Sequence, residues 1–244
     1  MFLPRINLHI HSTYSDGKNN IKQIVKKSLD LKLEYIAITD HFTDSWKAWV
    51  TSLNNHDTIL EYLNEIEDCQ NYLRKTGRKL RVLKGLEIDL ASSENFIKQF
   101  IEIEMFDLIL FEYLESLESI AFIKNIIQYW KKLKKSSKNF PILGLAHFDP
   151  SNFIYHSRES LIAFLKEYNI YFEFNSSYPQ CYSLKNEFFF EKLKKNNNIV
   201  AIGSDSHHLS NLDDIEEPLE MIKYYNLEDN YRTCIEVLNS IRIT

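Results

Sequence analysis

Cysteine, glycine and long apolar runs are all scarce in this chain, and each scarcity removes a class of protein from consideration. The three cysteines, Cys69, Cys181 and Cys234, stand far apart with no CxxC pair. An odd number in that pattern excludes a disulfide framework and suits a reducing compartment, so a cytoplasmic location is expected. No run of about 18 apolar residues is available to span a bilayer. The opening Met-Phe-Leu-Pro-Arg-Ile-Asn turns polar too soon for a secretory leader, so no membrane partner is expected. Basic charge is not in excess either, since 34 acidic against 29 basic residues leave a net charge of −5. A surface of that sign has no general attraction for a phosphate backbone, which makes long nucleic acid a poor partner. What is present is an ordinary globular composition of 44% hydrophobic and 26% charged residues over 244 positions. Single α/β barrels commonly run to this length.

Short β-prone runs alternate with longer stretches of helical period, the pattern of a parallel sheet or barrel built from βα units. The strands are expected at Arg5–His9, Tyr35–Thr39, Leu80–Ile88, Asp107–Phe111, Ile142–His147, Tyr171–Phe174 and Val200–Gly203. Helices are expected at Ile21–Leu33, Ile59–Lys75, Ile120–Lys135, Ser160–Tyr168 and Leu184–Lys195, with apolar residues three and four apart. Three of the five glycines, Gly85, Gly144 and Gly203, fall in or at the ends of strands that lead to a histidine or a carboxylate. Glycine weakens a strand, so its use there implies a close approach to the backbone and a site at the strand ends. The basic runs Lys131–Lys138 and Lys192–Lys195 sit late in helices, where they complement the helix dipole as solvated charge.

His9 and His11 are two residues apart at the end of the first strand, so they share a face about 7 Å apart and can converge on one metal ion. Alone that pair is a weak signal. His41, His147 and His207 also follow predicted strands, and in a parallel barrel those ends share one face. Asp16, Asp40, Glu87 and Asp205 accompany them. A nitrogen and oxygen donor set without thiolate suits Zn, Mn or Fe, and a carboxylate among histidines can bridge two ions. Bound metal polarises phosphoryl oxygens and supplies hydroxide near neutral pH, which suits phosphoester hydrolysis.

The segments His-Ile-His-Ser-Thr-Tyr-Ser-Asp-Gly, Ile-Thr-Asp-His, Gly-Leu-Glu-Ile-Asp, Leu-Ala-His-Phe-Asp-Pro and Gly-Ser-Asp-Ser-His, taken in order, resemble the motifs of the PHP (polymerase and histidinol phosphatase) family. The resemblance spans residues 7 to 208. It implies an α/β fold, a distorted (βα)7 TIM-like barrel forming a single domain over 1–244, with a C-terminal helical segment at about 215–242. It also implies two or three divalent metal ions at the strand ends. His9, His11 and Asp205 would hold a first ion, with Glu87 bridging to a second that His147 completes. Asp16, His41 and His207 would hold a third. Asp40 and His207 are the catalytic candidates, Asp40 by orienting His41 or a water.

The fourth strand departs from the family pattern. Where the family carries a histidine for the second ion, this chain reads Phe-Asp-Leu-Ile-Leu-Phe-Glu-Tyr-Leu-Glu, with Leu114 in the histidine's place by spacing. Glu112 is the expected substitute, ahead of Glu115. Asn175, in Glu-x-Asn after the sixth strand, is a candidate to contact substrate or to stabilise a turn, and Arg158 and Lys18 are candidates to bind phosphate. Trp46 and Trp49 lie in a long segment after the second motif, as a lid or stacking surface or as core anchors. His56 and His156 lack partner spacing, and His208, next to His207, would point away on an extended chain, so all three are left out.

The expected activity is hydrolysis of a small phosphoester, mono- or diester, by a metal-bound hydroxide, on a substrate such as a nucleotide or histidinol phosphate. The alternatives are a regulatory PHP-like module with a degraded second metal site and, less favoured, an amidohydrolase-type enzyme. The last requires a bridging lysine on the fourth strand, and Asp107–Leu114 has none.

Overall fold

Mostly apolar runs of four to nine residues form every strand but the two-residue β3, and amphipathic stretches form the helices between them. The first half runs β1 (Ile6–Ile10), α1 (Ile21–Asp30), β2 (Tyr35–Ile38), β3 (His41–Phe42), α2 (His56–Lys75), β4 (Arg81–Asp89), α3 (Glu94–Phe100) and β5 (Leu108–Glu112). The second runs α4 (Leu117–Leu133), β6 (Ile142–Leu145), α5 (Arg158–Tyr168), β7 (Ile170–Asn175), α6 (Glu187–Lys195), β8 (Val200–Gly203), α7 (Glu216–Tyr224) and α8 (Glu228–Ser240). The computed structural model describes residues 3–45, 49–133, 140–153 and 158–241. Trp46, His156 and the stretch 134–138 of the basic run lie outside the described residues.

Strand pairing follows chain order as β1-β2-β4-β5-β6-β7-β8, every pair parallel. Beyond β8 the chain turns back to β1, where the His11 amide donates to the Ser206 carbonyl at 2.9 Å and the Ser206 amide to the His9 carbonyl at 3.3 Å. The result is a nearly closed barrel of seven parallel strands flanked by helices, a distorted TIM-like barrel. No helix among the described residues is long and apolar enough to cross a membrane.

The second strand differs from its expected form. It stops at Ile38 and resumes as β3, because β4 is long enough to pair with both pieces: Arg81–Lys84 with β2, then Glu87 and Ile88 with His41 and Phe42. At the break the Thr39 hydroxyl accepts from the Ile10 amide at 3.1 Å, replacing a ladder bond with a side chain. Gly85 makes the close approach possible, since a Cβ there would lie 2.5 Å from the Ile38 carbonyl oxygen. The Tyr62 hydroxyl closes the gap, reaching the Ile38 carbonyl at 2.6 Å and that of Gly85 at 2.8 Å. This interruption delivers Asp40 and His41 to the barrel mouth.

Helix starts and stops follow local chemistry. Asn20 and Gln23 form a capping box on α1, and the positive φ of Lys32 (58°) ends that segment before the expected Leu33. The C-terminal helical segment consists of two helices, α7 and α8, broken where Asn226 takes a φ of 54°. Helix α3, capped by Ser93, is too short to have left a periodic signal.

Candidate metal centre

Glu87, in the middle of the barrel mouth on β4, is fully buried, and four imidazoles face its two oxygens. Oε1 lies 3.2 Å from His9 Nε2 and 3.5 Å from His147 Nε2. Oε2 lies 2.9 Å from His41 Nδ1 and 3.5 Å from His11 Nε2. Both oxygens of Glu87, and Nδ1 of His41, are nevertheless buried without an aligned hydrogen bond. A buried carboxylate without hydrogen bonds is costly unless charge compensates it. Nearby, His11 Nε2 is 2.9 Å from Asp205 Oδ1 and 3.1 Å from His9 Nε2. Asp16 is 3.0 Å from His207 Nε2 and 3.6 Å from His41 Nε2.

These groups satisfy the donor geometry of a metal site. Two ligands each about 2.0–2.2 Å from a shared ion at tetrahedral angles stand roughly 3.3–3.6 Å apart, and these donor pairs stand near that separation. Three donor sets emerge: His9, His11 and Asp205; His11, Asp16, His41 and His207; and His41, Glu87 and Glu112. The rings crowd together, with centroids 4.5 Å apart for His11–His41 and His11–His207 and 5.1 Å for His9–His11. Burial opposes every charge here, yet the opposite charges outweigh it. His9 is raised well above 6.5 by Glu173, Glu87 and Asp205, and Glu87 is held well below 4.5 by His9, His41 and His147. Asp205 is likewise lowered by His9 and His11. Such a site suits cations, whether protons or metal.

Strain marks the same loops. Tyr113, His147 and Asp205 follow β5, β6 and β8, and each takes a positive φ, of 65°, 33° and 49°. Non-glycine residues hold such angles only where their surroundings demand it, and functional sites concentrate them.

The structure brings His9, His11, Asp16, His41, Glu87, Asp205 and His207, from four of the five motifs, together. Glu112 arrives elsewhere than expected. It faces His41 Nδ1 at 3.5 Å and joins Glu87, whereas no His, Cys, Asp or Glu among the described residues completes a three-donor group with His147. Leu114, the histidine's place by spacing, is buried in the core, and Glu115 is exposed outside the donor sets. The residue beside His147 is Tyr113, its ring 6.2 Å away. Tyr178 packs on the other side with its ring at 4.5 Å. Burial and the neighbouring Asp205, which its hydroxyl meets, push the Tyr178 phenol upward.

Asp40 does not orient His41. Its carboxylate accepts from the Ser12 amide at 2.7 Å, the Ser12 hydroxyl at 2.6 Å and the Ser15 hydroxyl, so it organises the loop carrying His11 and Asp16. Asn175 spends its amide internally, donating to Glu173 at 2.9 Å and accepting from the Ser177 amide at 3.0 Å, the turn-stabilising alternative. The Lys18 amide donates to the His207 carbonyl at 2.9 Å with its side chain exposed at the rim. Arg158 begins α5, half-buried, and belongs to none of the donor sets. Trp49 is 74% exposed and anchors no core. Tyr113 and Tyr178 carry no metal-ligand signature, so histidine and carboxylate spacing passes them by, and Glu173 enters the sequence reading only as the first residue of Glu-x-Asn.

A model of the PHP domain matches residues 7–177. The chain belongs to the PHP domain family. Asp205 and His207 lie beyond the matched residues, and closure of the barrel returns them to the same PHP site. A stretch of 84 residues is 31% identical to the DNA polymerase/3'-5' exonuclease PolX of Bacillus subtilis, covering 34% of this chain but only 14% of that protein. The fold is similar to that of histidinol phosphate phosphatase from Lactococcus lactis, solved with zinc, L-histidinol and phosphate, at a TM-score of 0.64 and 18% identity over 92% of this chain and 94% of that one. It is also similar to the structures of YwqE from Bacillus subtilis and CpsB from Streptococcus pneumoniae, described as metal-dependent tyrosine phosphatases. There the TM-score is 0.59 and the identity 17%, over 97% of this chain and 94% of that one.

Proposed function

We propose that this PHP protein is a metal-dependent phosphoesterase acting on a small phosphorylated molecule. One observation carries the reading: Glu87 is buried, its oxygens lack hydrogen bonds, and the nitrogens of His9, His11, His41 and His147 face it. Family membership and the two groups of phosphatases that share the fold support the same reaction class.

His9, His11 and Asp205 would hold one divalent ion, and Asp16, His41 and His207 a second, with Glu87 between them. Zinc, manganese and iron all suit this nitrogen and oxygen set. Bound there, such ions polarise the phosphoryl oxygens and bring the pKa of water toward neutrality. A third position at Glu87 and His147 has fewer donors than the other two.

The protein's own groups do the positioning. His207 sends Nδ1 to the Asp205 carbonyl at 2.8 Å, which leaves Nε2 directed to Asp16 and the mouth of the site. Asp40 holds the Ser12–Ser15 turn so that Asp16 faces His207 and His41. Tyr113 and Tyr178 wall the side occupied by His147. Lys18 and Arg158 are the proposed contacts for substrate phosphate, and a nucleotide and histidinol phosphate remain the substrate candidates. The three buried free cysteines accord with a cytoplasmic setting.

A second reading, a regulatory module with an incomplete metal centre, draws on the sparse donors around His147. Metal-stripped protein reloaded with Mn²⁺, Zn²⁺ or Fe²⁺ and assayed on p-nitrophenyl phosphate and its bis-ester separates the two. Turnover with any ion supports the phosphoesterase and reveals mono- or diester preference. No turnover with all three supports the module.

A further inference from the structure

Glu173 is a carboxylate that the metal centre does not use directly, yet it is buried beside it on β7. Its Oε1 meets His9 Nδ1 at 2.9 Å. Its Oε2 accepts the backbone N–H of His147 at 2.7 Å and the Asn175 side-chain amide at 2.9 Å. A carboxylate acceptor at Nδ1 favours a hydrogen there, which leaves Nε2, the nitrogen facing His11, Glu87 and Asp205, as the one available to a metal ion. The same carboxylate holds the His147 backbone, which has a positive φ of 33°. One side chain therefore grips two candidate ligands on different parts of the barrel.

Gly203 supports the assignment independently. A Cβ at that position would come 1.9 Å from Glu173 Oε1 and 2.6 Å from His9 Cβ. The absence of a side chain on β8 opens the channel through which Glu173 reaches His9. Strand β7, the glycine of β8 and the histidine of β1 thus form one device.

We propose that Glu173 is a positioning residue that fixes His9 as an Nε2 donor and sets the His147 loop, coupling the two sides of the metal centre through one buried carboxylate. This rests on the metal-centre reading above. Outer carboxylates that accept a ligand histidine's N–H typically carry a 10–100-fold effect on metal affinity.

The test is Zn²⁺ affinity and stoichiometry by chelator competition on full-length protein, wild type against Glu173→Gln, with the melting temperature of each metal-free protein as a folding control. A folded E173Q protein with about 10–100-fold weaker Zn²⁺ binding is expected. A folded E173Q protein that binds Zn²⁺ as wild type overturns the Glu173 assignment alone. Wild-type protein that binds no Zn²⁺, Mn²⁺ or Fe²⁺ overturns the metal-centre reading, and this inference with it. Should E173Q fail to fold, nitrogen NMR of histidine-labelled, Zn²⁺-loaded wild type decides. His9 protonated at Nδ1 and metal-bound at Nε2 is the expected state, and the opposite tautomer overturns the proposal.

Discussion

His41 Nδ1 and Glu87 Oε2 lie 2.9 Å apart in the barrel mouth, on adjacent paired strands β3 and β4, without the alignment of a hydrogen bond. The pair exists because β2 breaks after Ile38 and resumes opposite Glu87. Its geometry is that of two donors turned toward a common cation.

Replacing Glu87 removes the group that four imidazoles face. Glu87→Gln is expected to lower kcat/KM by at least about 100-fold, the upper end of what outer carboxylates contribute. Metal stoichiometry by elemental analysis falls with it. A variant that keeps full metal content and activity would refute the central role of Glu87.

The fourth-strand departure makes a sharper contrast. Tyr113 lies beside His147 whereas Leu114 is buried in the core. Tyr113→His is expected to add a donor beside His147 and raise metal stoichiometry. Leu114→His instead buries an imidazole among apolar side chains and costs about 1–3 kcal/mol of stability without adding metal. Titration with Co²⁺ followed by its visible spectrum, beside chemical denaturation, distinguishes the two.

Asp40 acts on a loop rather than on His41. Asp40→Asn presents an amide where the Ser12 N–H and two hydroxyls donate, leaving donors unmet at a cost of about 1–3 kcal/mol. Denaturation should show that loss, with a smaller fall in activity than Glu87→Gln produces. Unchanged stability would contradict the loop role.

The charge pairs set opposite pH trends for metal-free and metal-loaded protein. Burial disfavours the imidazolium of His41, but Glu87, Asp16 and Glu112 raise its pKa above 6.5; burial likewise opposes Asp16, but His207, His41 and His11 lower it below 3.8. A raised histidine contributes stability that is whole below pH 6.5 and lost as pH climbs toward the folded value. A lowered carboxyl contributes stability that is whole above its usual range and lost as pH falls. In EDTA the melting temperature should therefore decline from about pH 6.5 to about pH 9. Metal binding displaces the same protons, so stabilisation by added Zn²⁺ should grow over that range. A metal-free melting temperature that rises with pH would contradict the pairing.

Gly203→Ala should lose about 1–3 kcal/mol by overpacking, since its Cβ meets Glu173 and His9. Thermal denaturation measures this, and wild-type stability would show that the carboxylate passes elsewhere.

Much of the fold was legible because the chain repeats a simple alternation: β1 as an apolar run ending in His-x-His, α1 as a stretch of helical period from Ile21, and Gly85, Gly144 and Gly203 at strand positions that need close approach. The short strand β3 was not legible, because the expected second strand ends at Thr39 and two residues, His41 and Phe42, show no period until β4 supplies a second set of partners. Helix α3 escaped for the opposite reason, being too short to show a period.

The sequence by itself determined the donor inventory, because histidines and carboxylates at the ends of parallel strands share a face whatever the details of packing. It could not decide the company each donor keeps. Glu112 turning to His41 rather than His147, Leu114 entering the core while Tyr113 takes the mouth, Asp40 binding serines, and Glu173 reaching under Gly203 to His9 depend on strand register and on φ angles at the strand ends. Those are set by contacts between residues far apart in the chain, and only the closed barrel brings them together.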